Sequence, residues 1–369
     1  MRSLPLVPFP AGNVIMMTVG AILIYLALKK GYEPMLLIPI GFGAILVNLP
    51  YGGLMDQGGI LRIIYEAGIL TEIFPILIFI GIGAMTDFGV LLEKPSTLLY
   101  SIPAHLGIPA AFLAAYLIGF NPLEALSVGI IGAMDGPTAI YVTSQYAPNL
   151  LAPVTVCAYS YMSMIPILQV PLSKILISKK ERLTRMEYSP GKFSQGIRVV
   201  FPIFVTVVVG LIAPKGIPLI GSLMLGNFLK ESGVVDRLAR SAQSEISNVT
   251  TLLLGITIGG TMLADQFLNI STLLIFALGL LAFVVGLSAG ILTAKAAYYL
   301  TGGKVNPLIG ATGVSAFPMA ARTAHMIARS EDPDNWLLMH AMAANTGGQI
   351  ASVVAGGAML SLAPIFLGP

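Results

Sequence analysis

From residue 270 to residue 294 the chain runs without a single charged side chain. Coiled as a helix rising about 1.5 Å per residue, that run spans roughly 37 Å, more than the roughly 30 Å hydrocarbon core of a bilayer. Apolar runs recur at 14–28, 34–48, 73–92, 96–118, 123–146, 151–177, 199–213, 217–229, 249–267 and 336–362. The shorter ones need flanking residues that snorkel to the interface. A chain that is 56% hydrophobic and 10% charged, with a mean hydropathy of +0.87, has no stretch from which to build a soluble domain. It is read as an all-α membrane protein. Pro5, Pro8 and Pro10 interrupt the first apolar stretch, so the expected anchor is an uncleaved helix beginning near Val14. Cys157 is the one cysteine, which excludes an internal disulfide, and His105, His325 and His340 have no metal-ligand spacing. The net charge of +3 is too small to suggest a nucleic-acid partner.

The two halves carry the same landmarks in the same order. Lys30-Gly31-Tyr32-Glu33-Pro34, followed by Gly41 and Asn48, is answered by Lys215-Gly216-Ile217-Pro218, followed by Gly221 and Asn227. Ser96-Thr97-Leu98-Leu99 is answered by Ser271-Thr272-Leu273-Leu274, Gly132-Ala133 by Gly310-Ala311, and Asn149-Leu150-Leu151 by Asn335-Trp336-Leu337. This predicts a first repeat over 1–178, a basic loop over 179–197 and a second repeat over 198–369. If each half contains a broken or re-entrant segment and about five crossings, the halves are inverted in the membrane, with about ten transmembrane helices in all. Only Arg2, Arg62 and Lys215 then lie on the outer side. Lys29, Lys94, the loop from Lys179 to Arg198, an amphipathic stretch over 230–245, Lys295 and Lys304 all approach the cytoplasm, as the positive-inside rule requires.

The first broken segment is Gly132-Ala-Met-Asp135-Gly136-Pro137-Thr138, a carboxylate beside a Gly-Pro helix break within an apolar run. A carboxylate at bilayer depth costs roughly 2.5–3.5 kcal/mol or more, and unwound backbone beside it is how transporters build ion sites. A helix kink with a protonated or Arg-paired Asp is the structural alternative. The second broken segment holds Asn306-Pro307, Gly310 and Ser315. Asp135, Thr138, Asn306 and Ser315 are all oxygen donors, and one carboxylate with neutral oxygens suits a monovalent hard cation, Na+. Asn306 reads equally well as a turn starter, and Ser315 as a hydroxyl bonded to its own backbone. Arg322 either snorkels to the interface, pairs with Asp135, or holds an anionic substrate. Tyr161 is a packing residue or a proton donor. Asp87 and Asp265 are secondary ligands or helix-end caps.

Taken together, Gly81-Ile-Gly-Ala-Met-Thr-Asp87-Phe-Gly89, the Gly132–Tyr141 segment, Ala158-Tyr-Ser-Tyr-Met162, Gly226-Asn-Phe-Leu-Lys-Glu-Ser-Gly-Val-Val235, and Asn306 through Gly310 and Ser315 to Arg322 resemble the beta subunit of the sodium-pumping, biotin-dependent decarboxylases. The resemblance covers nearly the whole chain. It implies a carboxybiotin decarboxylase that exports Na+ while consuming a proton from outside. Asp135 matches the family's Na+-binding aspartate. Tyr161, Ser315 and Arg322 match residues tied to ion binding, proton delivery and carboxybiotin, and Asn306 and Gly310 match its second functional segment. The implied partners are a carboxyltransferase alpha subunit, a biotin carrier protein that supplies carboxybiotin, a small single-span membrane subunit and further copies of the chain, in a bacterial cytoplasmic membrane. The connector after Pro50 is shorter than in oxaloacetate-type members, which leans towards a CoA-ester decarboxylase. Without the motif combination, the same residues fit a secondary transporter, a Na+ symporter or Na+/H+ exchanger, equally well.

Overall fold

The computed structural model describes residues 10–31, 33–187 and 193–367, which contain helices and no strand. Arg2 and the proline-rich start, Tyr32 and the middle of the basic loop, including Lys192, lie outside the described residues. The helices are α1 (Ala11–Lys30), α2 (Pro34–Val47), α3 (Ile60–Ile64) with a π-helical turn (Tyr65–Ile69), α4 (Ile73–Met85), α5 (Gly89–Glu93), α6 (Leu98–Ala104), α7 (Gly107–Leu117), α8 (Pro122–Gly129), α9 (Gly136–Tyr146), α10 (Leu151–Ser163), α11 (Ile165–Leu176) and α12 (Lys179–Arg182). There follow α13 (Gln195–Ile212), α14 (Ile217–Ser232), α15 (Asp236–Ser241) with a second π-helical turn (Ala242–Ile246), α16 (Ser247–Gly260), α17 (Ala264–Phe267), α18 (Ile270–Leu300), α19 (Met319–Glu331) and α20 (Leu338–Leu367). Among the described residues five helices are long and apolar enough to cross a membrane, or up to seven if each of two bent pairs is one span. The chain is a membrane protein, and its remaining apolar helices are shorter.

Glycines set the packing, because a bilayer gives helices no hydrophobic drive to associate and close backbone approach must supply it. α2 lies against α16 with Gly43 on Gly259: a Cβ at Gly43 would stand 2.2 Å from the Ile256 carbonyl oxygen. α4 lies against α14 with Gly83 on Gly226, and a Cβ at Gly83 would stand 1.8 Å from the Leu223 carbonyl oxygen. The two contacts are reciprocal. Asn48, at the end of α2, donates to the Met262 carbonyl beyond α16 (2.8 Å), while Asn227 on α14 donates to the Thr86 carbonyl beyond α4 (3.2 Å). Gly83→Val is expected to force α4 from α14 and lower stability by about 2–3 kcal/mol or more, since backbone cannot yield as a side chain does. Thermal unfolding of the variant beside wild type measures the loss.

The apolar run at 73–92 is divided, and the Asn227 contact explains the division. Thr86 leaves the helix in an extended conformation, its carbonyl held by Asn227 Nδ2 and Lys230 Nζ, and Asp87 Oδ1 accepts from the Gly89 amide to start α5. The run at 151–177 bends by 58° between α10 and α11, and the amphipathic stretch at 230–245 is three pieces rather than one helix. The basic loop is strapped down: Arg182 pairs with Glu331 (2.7 Å), Arg185 grips Asp332 through two nitrogens (2.7 and 2.8 Å), and Lys295 pairs with Glu181 (3.5 Å).

Candidate functional site

After α8 the chain tightens into a 3-10 turn (Ile130–Ala133), passes through Met134 in the left-handed region (φ 55°), and leaves Asp135 extended as the N-cap of α9. Pro137 suits the first turn, where its missing N–H costs nothing. Gly132 is dictated by a neighbour: a Cβ there would stand 2.4 Å from the Gly107 carbonyl carbon. Asp135 is 4% exposed. Its Oδ2 accepts from Thr138 Oγ1 (3.0 Å), Ser315 Oγ (3.1 Å) and Ser352 Oγ (2.6 Å), and its Oδ1 from the Thr138 amide (3.4 Å). Ser315 comes from the non-helical segment before α19, and Ser352 from α20. One carboxylate oxygen therefore gathers hydroxyls from three separate parts of the chain.

No cationic side chain bonds Asp135 among the described residues. A buried carboxylate satisfied by three hydroxyls and one backbone amide still lacks a compensating charge. Those hydroxyls can rotate to present lone pairs, so the set fits a monovalent cation as cargo. No cluster of three His, Cys, Asp or Glu that would suit a multivalent metal occurs among the described residues. Nearby, Asn345 donates to the Val314 carbonyl (2.6 Å), fixing the residue before Ser315, and its own Oδ1 is buried without a partner among the described residues.

Asp135 and Ser315 lie at the buried end of a cavity of about 560 Å³ whose wall also includes Asp87, Arg322 and Gln349. Arg322 and Asp87 are exposed, which puts the mouth of the cavity at their end. Arg322 has no hydrogen bond or ion pair among the described residues, so its guanidinium is available to an anion entering the cavity. Gln349 Oε1 accepts from Thr86 Oγ1 (3.0 Å), tying α20 to the end of α4 at the wall.

The structure brings Asp135, Ser315 and Arg322 together around one cavity, with Thr138 bonded to Asp135 behind its wall, and places the other expected residues elsewhere. Asn306 is fully buried, but its Nδ2 donates to the Arg182 and Thr184 carbonyls (2.9 and 2.7 Å) and its Oδ1 caps the Leu308 amide (3.0 Å). Its amide hydrogens and Oδ1 are engaged in anchoring the basic loop and starting a 3-10 turn, and no hydrogen bond links it to Asp135 among the described residues. Gly310 meets α18 at Gly290, where a Cβ would stand 2.1 Å from the Gly290 carbonyl oxygen; it is a close-packing residue. Tyr161 turns away from the cavity, donating to the Phe276 carbonyl (2.9 Å) and packing on Phe276 and Phe283. The tyrosine beside the broken segment is Tyr159, whose ring would lie 2.1 Å from a Cβ on Gly136. Asp265 sits in the first turn of short α17, outside the cavity.

Ser352 and Gln349 are additions to the sequence reading. The signal is a polar stripe, Asn345, Gln349 and Ser352 at i, i+4 and i+7 on a mostly apolar helix, all three buried. Ser352→Ala is expected to leave folding intact and weaken apparent Na+ affinity about tenfold, the worth of one hydrogen bond to a charged group; a Na+ titration of activity reads it.

A family model described as the Na+-transporting oxaloacetate decarboxylase beta subunit matches residues 12–363. The chain belongs to this family. Its relatives include the glutaconyl-CoA decarboxylase subunit beta of Acidaminococcus fermentans, 49% identical over 96% of this chain and 94% of that one. The methylmalonyl-CoA decarboxylase subunit beta of Veillonella parvula is 46% identical over the same shares. The oxaloacetate decarboxylase beta chain of Klebsiella pneumoniae is 39% identical over 97% of each. As a member of this family the chain is a membrane component of a decarboxylase complex, and the Asp135 cavity is its candidate ion site.

Proposed function

We propose that the chain decarboxylates carboxybiotin presented on a biotin carrier protein and couples that step to Na+ export, with uptake of a proton from the opposite side. One observation carries the reading: in a member of the Na+-transporting family, the buried Asp135 and one of its hydroxyl partners, Ser315, share a cavity with the guanidinium of Arg322, which has no partner among the described residues. Arg322 orients the carboxylate of carboxybiotin at the mouth. Na+ binds at Asp135, Thr138, Ser315 and Ser352 at the buried end. Loss of CO2 leaves an anionic biotin that takes a proton, and arrival of that proton and departure of Na+ share the Asp135 site. For Tyr161 to deliver the proton, its hydroxyl must first leave the Phe276 carbonyl. Asn306 and Gly310 serve by shaping the second broken segment.

The reciprocal α2–α16 and α4–α14 contacts support two inverted halves, 1–178 and 198–369, with about ten crossings. Their broken segments move against the paired helices to alternate access. The basic loop over 179–197 then faces the cytoplasm of a bacterial inner membrane. The carboxyltransferase alpha subunit and the carrier dock on that side, a small single-span subunit completes the membrane part, and the chain assembles with copies of itself. A CoA ester is the favoured source of the carboxyl group: of the three relatives named, the two CoA-ester subunits share more identity with this chain than the oxaloacetate one, which aligns over 420 positions with gaps opposite this chain of 369 residues.

The test is simultaneous measurement of CO2 release and Na+ uptake by the purified complex in liposomes. The expected result is Na+ accumulation that starts and stops with consumption of carboxybiotin. Na+ movement driven by an ion gradient, with no CO2 release under any condition, is the secondary-transporter outcome and overturns the reading.

A further inference from the structure

A second carboxylate stands on the far side of Asp135 from the cavity. α4 carries Asp87 just beyond one end and Glu72 just before the other, some 20 Å apart along the axis at about 1.5 Å per residue. Asp87 lines the cavity, so Glu72 lies at the opposite end. α9 points the same way: it begins at Asp135, and Tyr141 lies about 9 Å further along it, away from the mouth. There the Tyr141 hydroxyl faces the Glu72 carboxylate. Tyr141 is 4% exposed, and Glu72 Oε1 is buried without a hydrogen-bond partner among the described residues.

The local backbone is unusual where Glu72 sits. The first π-helical turn ends in a 60° bend, and Glu72 occupies the left-handed region with φ 65°, a conformation that costs a residue with a side chain about 1–3 kcal/mol. The second π-helical turn, Ala242–Ile246, runs into α16 with right-handed backbone throughout, and its one carboxylate, Glu245, is exposed. A π-turn leading into a long apolar helix therefore does not need a glutamate in a strained backbone. A buried carboxylate oxygen without a donor, beside a phenol and in line with the Asp135 helix, has the chemistry of a cation station.

We propose that Glu72, with Tyr141, is a second binding station for a monovalent cation passing between Asp135 and the membrane face opposite the cavity. The inference rests on Asp135 carrying the transported ion. The cation is Na+ on its way out or a proton on its way in, and the same carboxylate chemistry takes either. Neither Asp87 nor Asp265 competes for the role, since both are exposed, Asp87 at the other end of α4 and Asp265 on α17.

The experiment uses the whole complex in liposomes, oriented with the cavity outward so that the lumen is the opposite face. CO2 release is followed while lumenal Na+ and lumenal pH are varied separately, for wild type, Glu72→Gln, Glu72→Asp and Tyr141→Phe. If the passing cation is Na+, Glu72→Gln shifts the lumenal Na+ concentration that slows turnover by tenfold or more and keeps the lumenal pH profile. If it is a proton, the variant flattens the lumenal pH profile and keeps the Na+ response. Glu72→Asp retains most of the wild-type response in either case. Glu72→Gln with both lumenal responses unchanged overturns the proposal. Should Glu72→Gln fail to assemble, Tyr141→Phe decides, with a shift of the same kind supporting the station and a wild-type response in both series overturning it. A wild-type complex that releases CO2 without any Na+ coupling would instead be a failure of the functional reading itself.

Discussion

Asp135→Asn abolishes Na+-stimulated CO2 release, with an expected fall of about 100-fold or more at any attainable Na+ concentration. The substitution keeps size and shape, and the Thr138, Ser315 and Ser352 hydroxyls can reorient around an amide, so the cluster stays packed. What it removes is the only carboxylate among those oxygens. A unit charge pair at about 3 Å is worth on the order of 5 kcal/mol at an effective dielectric of about 20, and the neutral oxygens recover only part of it. Asp135→Glu retains the charge but pushes it a methylene deeper among buried groups, so it is expected to keep measurable Na+ dependence at a raised half-saturating concentration. A Na+ titration of CO2 release, run on complexes shown intact by size and thermal stability, separates loss of ion binding from loss of fold.

Arg322→Ala acts at the other end of the same cavity and is read in a different parameter. With no partner among the described residues, this guanidinium is free to grip an incoming carboxylate through two nitrogens. Its removal is expected to cost about 2–4 kcal/mol of transition-state binding, roughly 30- to 900-fold in kcat/KM for the carboxylated carrier. The Na+ concentration for half-maximal rate is expected to move little. Arg322→Lys keeps the charge but not the planar fork and falls between the two. Steady-state kinetics with the carrier as varied substrate checks both points. An unchanged kcat/KM in Arg322→Ala would return the residue to an interfacial, snorkelling role.

What was legible in the sequence follows from how local each signal is. Asp135 and Thr138 stand together because an N-cap carboxylate and the residue three positions on are neighbours by helix geometry, and the Gly-Pro break marks the cap. Ser315 and Arg322 lie in one continuous segment, so placing that segment placed both. Asn306 is ambiguous in the sequence because a ligand and a structural cap have the same residue type. Only the tertiary contact with the Arg182 and Thr184 carbonyls shows how its amide is used. Tyr159 and Tyr161 are two residues apart, about 200° around a helix, and nothing local tells which faces the broken segment. Ser352 reaches Asp135 from 217 positions away, so only the packing of α20 reveals it. Membrane character was plain from composition. The breaks within the runs at 73–92 and 151–177 were not, because they answer to contacts such as Asn227 with Thr86, outside the run itself.

The most direct test of the central claim is equilibrium binding of radioactive Na+ to the detergent-solubilised complex, wild type beside Asp135→Asn, without substrate and therefore without turnover. The account predicts saturable Na+ binding in the wild type that disappears in the variant and weakens in Ser352→Ala. Equal Na+ binding by wild type and Asp135→Asn would contradict it, placing the transported ion somewhere other than the oxygens gathered around Asp135.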